Sequence, residues 1–150
     1  MSINTKLTNA SKSIWAKSVF RGDPNDHRYL LLWQHMQDCA AVARRVWNDF
    51  LPDAVKEELV ADLGSERVTV GLISFLAMIH DVGKASPAFE VQCDYLCDRV
   101  REHGLRVDEQ FFACHKEERA GYRHELVGYQ SVCQWFSRRG YQTDEGSMAN

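Results

Sequence analysis

The residues best suited to chemistry lie in one short stretch, where the apolar run Leu76–Ile79 ends in His80 and Asp81 and is followed by Gly83 and Lys84. An imidazole and a carboxylate side by side can ligate one metal ion, or hold two close together through the second carboxylate oxygen. Lys84 can place an ammonium beside an anionic substrate. The same pair would also serve as an ordinary hydrogen-bonded helix terminus, so its meaning depends on what the rest of the chain brings to it. Two further histidines share its unusual setting. His35 falls on a helical stripe with Leu31, Cys39, Val42 and Val46, with Asp38 close enough to accept from its ring, and His124 falls on a stripe with Val127, Gly128, Ser131, Val132 and Trp135. Taken singly, each could be a satisfied core histidine. Three imidazoles on the apolar faces of three separate helices can instead meet Asp81 around a metal ion. A metal there would lower the pKa of bound water and polarise a phosphate, which makes phosphoester hydrolysis the expected reaction class.

The elements that must position these residues are helical throughout. The 150 residues, 45% apolar and 26% charged, suit one globular domain, and the net charge of −3 excludes a protein coated in positive charge. Met1–Ser13 is polar and aperiodic and reads as a flexible arm; residues 14–140 carry the domain, with Trp15 as a core plug, and residues 141–150 form a polar tail. Arg21–Asp26 is rich in turn formers. A first long helix is expected over Arg28–Phe50, with Leu32, Met36, Cys39, Ala40, Ala43, Trp47 and Phe50 facing inward. A second should run from Pro52 to Leu63, stopped by Gly64, and a third from Val68 to Ile79, with Leu72, Ile73, Leu76, Ala77 and His80 on its buried stripe. Pro87–His103 reads as a fourth helix stopped by Gly104, Leu105–Ala113 as a short helix, and His124 to about Ser137 as the last. His103 suits a helix C-terminus, and His115 lies in a charged loop. The five cysteines form no regular framework and read as reduced core or surface thiols, with Cys93 and Cys97 lacking the second pair that a structural zinc site needs. No signal peptide or apolar span occurs, so no membrane role and a cytoplasmic location are expected.

Four strings in order, Trp15-Ala16-Lys17-Ser18, His35-Met36-Gln37-Asp38, His80-Asp81-Val82-Gly83-Lys84-Ala85-Ser86-Pro87-Ala88-Phe89 and Arg123-His124-Glu125, resemble the HD nuclease domain of the CRISPR-associated helicase-nuclease of type I interference systems. The resemblance implies an all-α, HD-domain-like helical bundle whose metal centre cleaves single-stranded DNA exposed by a guide RNA surveillance complex. It makes His35, His80, Asp81 and His124 metal ligands and puts Lys84 near the scissile phosphate. The implied cofactor is one or two divalent ions, either a transition metal (manganese, cobalt, nickel or iron) or magnesium. The strand would be held through backbone charge and base stacking, with Arg119, Arg123, Arg138 and Arg139 as local basic candidates. Family members carry a later pair of adjacent histidines and an aspartate that have no counterpart here, which leaves three expectations open: a site that binds one ion weakly, one completed by a separate helicase or C-terminal nuclease part, or one that is inactive. The chain has no Gly-x-x-x-x-Gly-Lys-Ser/Thr loop for a motor of its own. Two other readings fit the same letters: a non-catalytic helical binding module of the interference machinery, and a general HD phosphohydrolase of nucleotides.

Overall fold

The computed structural model describes residues 6–18, 27–108, 110 and 122–141. Helix α1 (Asn9–Ser13) leads into strands β1 (Trp15–Ser18) and β2 (Tyr29–Leu31), then α2 (Leu32–Asp49), α3 (Asp53–Leu63) and α4 (Glu66–Ile79). A 3₁₀ turn (Val82–Lys84) follows, then α5 (Pro87–Glu90), α6 (Asp94–Glu102) and α7 (His124–Ser137).

The expected all-helical bundle holds, with one addition. Trp15 pairs with Leu31 and Ser18 with Tyr29 in a small antiparallel sheet. The amide of Leu32 donates to the carbonyl of Ile14 at 2.8 Å, so the long helix starts at Leu32 rather than Arg28. Asn9–Ser13, expected to close a flexible arm, forms a short helix capped by Thr8, with Ser13 fully buried. The turn-rich Arg21–Asp26, His115, Arg119 and the tail beyond Tyr141 lie outside the described residues, as do four of the nine residues expected to form a helix after Gly104; of the five described, residues 105–108 are not helical and Gln110 is.

Capping explains the middle of the chain. Ser65 accepts from the amide of Val68 and starts α4, while Gly64, at φ 85°, closes α3 in the left-handed region that glycine enters at least cost. The single helix expected over Pro87–His103 breaks between Glu90 and Asp94. Phe89, Glu90, Val91 and Cys93 are all buried, and successive residues of a regular helix fan through about 100° each, too widely for one face to cover them. After the break α6 buries Leu96, Cys97 and Val100 completely, the spacing of a single helical face.

The core joins Trp15, Phe89, Cys93 and Leu96, with Tyr95 and Tyr122 against it. The Trp15 and Phe89 rings stand 4.5 Å apart, so the first strand is pinned to the segment that follows the His80-Asp81 pair. Cys93 and Cys97 are buried core thiols. Helices α2 and α4 make the broadest contact between elements, α3 lies on α4, and α7 lies on the 3₁₀ turn.

The expected inward face of α2 holds from Leu32 to Trp47 and fails at Phe50, while the expected stripe of α4 points partly outward. Phe50 is 74% exposed, and Leu72 and Leu76 are exposed, while the fully buried residues of α4 are Thr69 and Ser74. Helix α4 is apolar nearly all round, so its pattern alone could not choose a buried side. Among the described residues no helix is long and apolar enough to cross a membrane.

Candidate metal centre

Asp81 follows the last turn of α4 and is 5% exposed, with its carboxylate at the centre of a ring of nitrogen atoms. Burial alone would raise its pKa, but hydrogen bonds from Lys84 and His35 and the nearby charge of Lys84 and His80 outweigh this and hold it at about 2, below the ordinary 3.8. An ionised carboxylate can only accept, so the groups around it must donate or share a cation with it. Lys84 Nζ donates to Oδ2 at 2.7 Å and His35 Nε2 to the same oxygen at 2.8 Å. His124 Nε2 lies 3.2 Å from Oδ1, and His80 Nε2 lies 3.3 Å from Oδ2.

The four candidate ligands therefore converge, although they come from α2, the end of α4 and the first residue of α7. His35 is buried, whereas the His80 side chain is 48% exposed, so His80 does not end a buried stripe as expected. His80 forms the solvent-facing edge of the site. The carboxylate that meets His35 is Asp81; Asp38 is exposed and lines a groove beside the centre. His103 donates from Nδ1 to the carbonyl of Arg99 at 2.8 Å at the end of α6, the helix-terminal role expected for it.

The donor set fits a divalent ion on two counts. His80 Nδ1 is 2.8 Å from the carbonyl oxygen of Ala77 and must donate to it, which leaves the neutral ring only a lone pair at Nε2, facing ionised Asp81. A lone pair and a carboxylate 3.3 Å apart would be bridged by a cation, either a metal ion or a proton on the ring. Ligands at right angles around an ion with bonds of about 2.1 Å stand about 3.0 Å apart, and the nitrogen-to-oxygen separations around Asp81 run from 2.8 to 3.3 Å. His35, His80, Asp81 and His124 would hold the ion, with Lys84 beside them.

The turn that carries Asp81 is fixed by backbone contact. A Cβ on Gly83 would stand 1.8 Å from the carbonyl oxygen of His124 and 2.5 Å from the amide nitrogen of Gly128. The space beside Gly128 is filled by the same turn, with Val82 Cγ1 3.5 Å from where its Cβ would be. Tyr122 tightens the joint by donating to the carbonyl of Gly83 at 2.7 Å and by a hydrogen bond with Ser86. Phe89 lies beneath Lys84, whose Nζ is 5.5 Å from the ring centre, and its ring meets that of His124 at 6.3 Å.

Sequence reasoning passed over Tyr122, Phe89 and Cys39. Only Cys39 had a local signal, standing one helical turn after His35, with its sulfur 3.7 Å from His35 Nδ1. Of the basic candidates, Arg123 immediately precedes α7 next to His124 without capping it, while Arg139 stacks on Trp135 at 3.8 Å near the far end of that helix.

The comparisons with known proteins bear on this geometry. A family model described as "Cas3, HD domain" matches residues 15–150. The chain is 28% identical over 116 residues to the CRISPR-associated nuclease/helicase Cas3 of Streptococcus thermophilus, an alignment covering 72% of this chain and 11% of that protein. No solved structure matches it significantly. With helical fold, HD pair and family match in agreement, the chain belongs to the Cas3 HD-domain family.

Proposed function

We propose that this chain is a metal-dependent endonuclease unit that hydrolyses phosphodiester bonds of single-stranded DNA in CRISPR interference, recruited by a guide RNA surveillance complex. The observation that carries the reading is the convergence of three imidazoles and one ionised carboxylate, with an ammonium at the same oxygen. His35, His80, Asp81 and His124 act as ligands to manganese, cobalt, nickel, iron or magnesium, as one ion or two. A bound divalent ion supplies a water of lowered pKa and a polarised phosphate oxygen.

The chain's own residues supply the rest. Asp81, ionised at every physiological pH, offers both oxygens, and the bond from His80 Nδ1 to Ala77 fixes the tautomer that turns Nε2 to the site. Lys84 keeps a positive charge at the carboxylate, where it attracts a phosphate oxygen as the strand approaches. His80 is open to solvent beside a groove, an arrangement that suits a polymer passing the site better than an enclosed mononucleotide. With a net charge of −3, the protein depends on this local charge, and on Arg123 beside it, rather than on a general field.

A second reading, a non-catalytic helical binding module, draws on the exposed apolar residues Val42 and Val46 of α2 and Leu72 and Leu76 of α4. Incubation with circular single-stranded DNA and manganese separates the two. The nuclease reading expects linear and shorter products that a chelator abolishes and that Asp81→Ala lacks. Intact circles in the presence of demonstrably bound metal would favour the binding module.

A further inference from the structure

The candidate metal centre has one neighbouring donor, Cys39, that the hydrolytic reading does not use. Cys39 lies one turn after His35 on α2, and its sulfur is 3.7 Å from Nδ1 and 3.8 Å from Nε2 of that ring. One ligand atom each from His35, Cys39 and His80 lies within 4.8 Å of the others. In a tetrahedral site with metal–sulfur bonds of about 2.3 Å and metal–nitrogen bonds of about 2.0 Å, sulfur and nitrogen stand about 3.5 Å apart, close to what α2 already provides.

Access is independent of the Asp81 side. Cys39 and His80 line a groove of 410 Å³ together with Asp38, Val42, Ala43 and Ala77. Apart from Asp38 its walls between these two residues are aliphatic, so an ion entering there meets a thiol and an imidazole lone pair before it reaches the buried carboxylate. The two sets differ in chemical character. Asp81 with three imidazoles suits hard and borderline divalent ions, whereas a thiol added to two imidazoles favours thiophilic ions such as zinc and cadmium.

We propose that His35, Cys39 and His80 form a sulfur-bearing face of the centre that captures a thiophilic divalent ion, in competition with the ion held through Asp81. On binding, the Cys39 sulfur forms a bond to the metal and loses its proton to solvent; no electron is transferred. His35 and His80 belong to both sets, so the thiophilic ion displaces or excludes the harder one rather than adding to it. The inference rests on the metal-centre reading for the roles of those two histidines, while its distinctive claim concerns Cys39 alone.

The test uses the whole chain with cadmium and manganese as separate titrants, and cobalt as a spectroscopic probe. Cys39→Ala and Cys39→Ser should each lower cadmium affinity at least ten-fold and leave manganese affinity within two-fold. The cobalt-loaded parent should show a near-ultraviolet sulfur-to-cobalt charge-transfer band that both variants lack. Equal cadmium affinity in parent and variants, with no such band in the parent, overturns the proposal. Manganese binding that survives this result leaves the hydrolytic centre standing. Conversely, failure of manganese to bind, with a cadmium affinity that depends on Cys39, would sink the hydrolytic centre and keep the sulfur site. Circular dichroism of the two variants separates lost ligation from lost folding, and the isosteric serine variant serves if the alanine variant unfolds.

Discussion

At the scale of single residues, two buried carboxyl groups behave oppositely because only one is ringed by side-chain donors. Asp81 is ringed by donors and held at about 2. Its folded-state pKa is lower than its unfolded one, so the stability it contributes is present above pH 3.8 and is lost as pH falls through about 2. That contribution is about 2 kcal/mol in the metal-free protein. Replacing Asp81 with Asn should flatten this acid limb and, by leaving Lys84 without its counter-charge, cost about 3 kcal/mol near neutrality in urea unfolding. Glu90 is 2% exposed, and neither of its oxygens has a hydrogen-bond partner. Burial pushes its pKa up to about 8 from 4.5, so the stability linked to its proton is complete below pH 4.5 and is lost progressively as pH rises through about 8. Glu90→Gln keeps the shape without the titration. It should match the parent near pH 5 and exceed it by roughly 4 kcal/mol at pH 9 in urea unfolding; parallel stability profiles for the two proteins would mean that Glu90 is not buried in the folded state.

At the scale of elements, the joint between the 3₁₀ turn and α7 decides whether His124 reaches Asp81. Backbone atoms of His124 and Gly128 stand where a Gly83 side chain would go, and backbone cannot step aside as a flexible side chain can. Gly83→Ala should therefore cost more than 3 kcal/mol in unfolding free energy and weaken metal binding, because the turn and α7 must separate. Unchanged stability and affinity would show that the two elements are not in this contact. This joint marks the limit of what the sequence could reveal. The periodicity of α2 and α7, the span of α3 and the stops at Gly64 and Gly104, both with positive φ, were legible because they are local. The sheet was not, since β1 and β2 are four and three residues long and owe their form to each other. Nor was the exposed side of α4, whose apolar residues surround the axis. The candidate ligands could be nominated one by one from their helical stripes, but their meeting depends on contacts between segments up to 89 positions apart, from His35 to His124.

At the scale of the whole molecule, a metal ion would tie α2, the end of α4 and α7 into one unit, so binding and folding are coupled. Binding free energy would add directly to the stability of the folded chain, about 2.7 kcal/mol when the metal is at a hundred times its dissociation constant. The family match places the chain among Cas3 HD domains; a shared ion is what would make three separate helices act as one site. Calorimetric titration of manganese into the parent and into His35→Ala, His124→Ala and Asp81→Ala tests this most directly. The parent should bind, and each replacement, though far apart in sequence, should weaken binding by more than ten-fold. Affinities that are unchanged when His35 or His124 is removed would contradict a single centre built from all three helices.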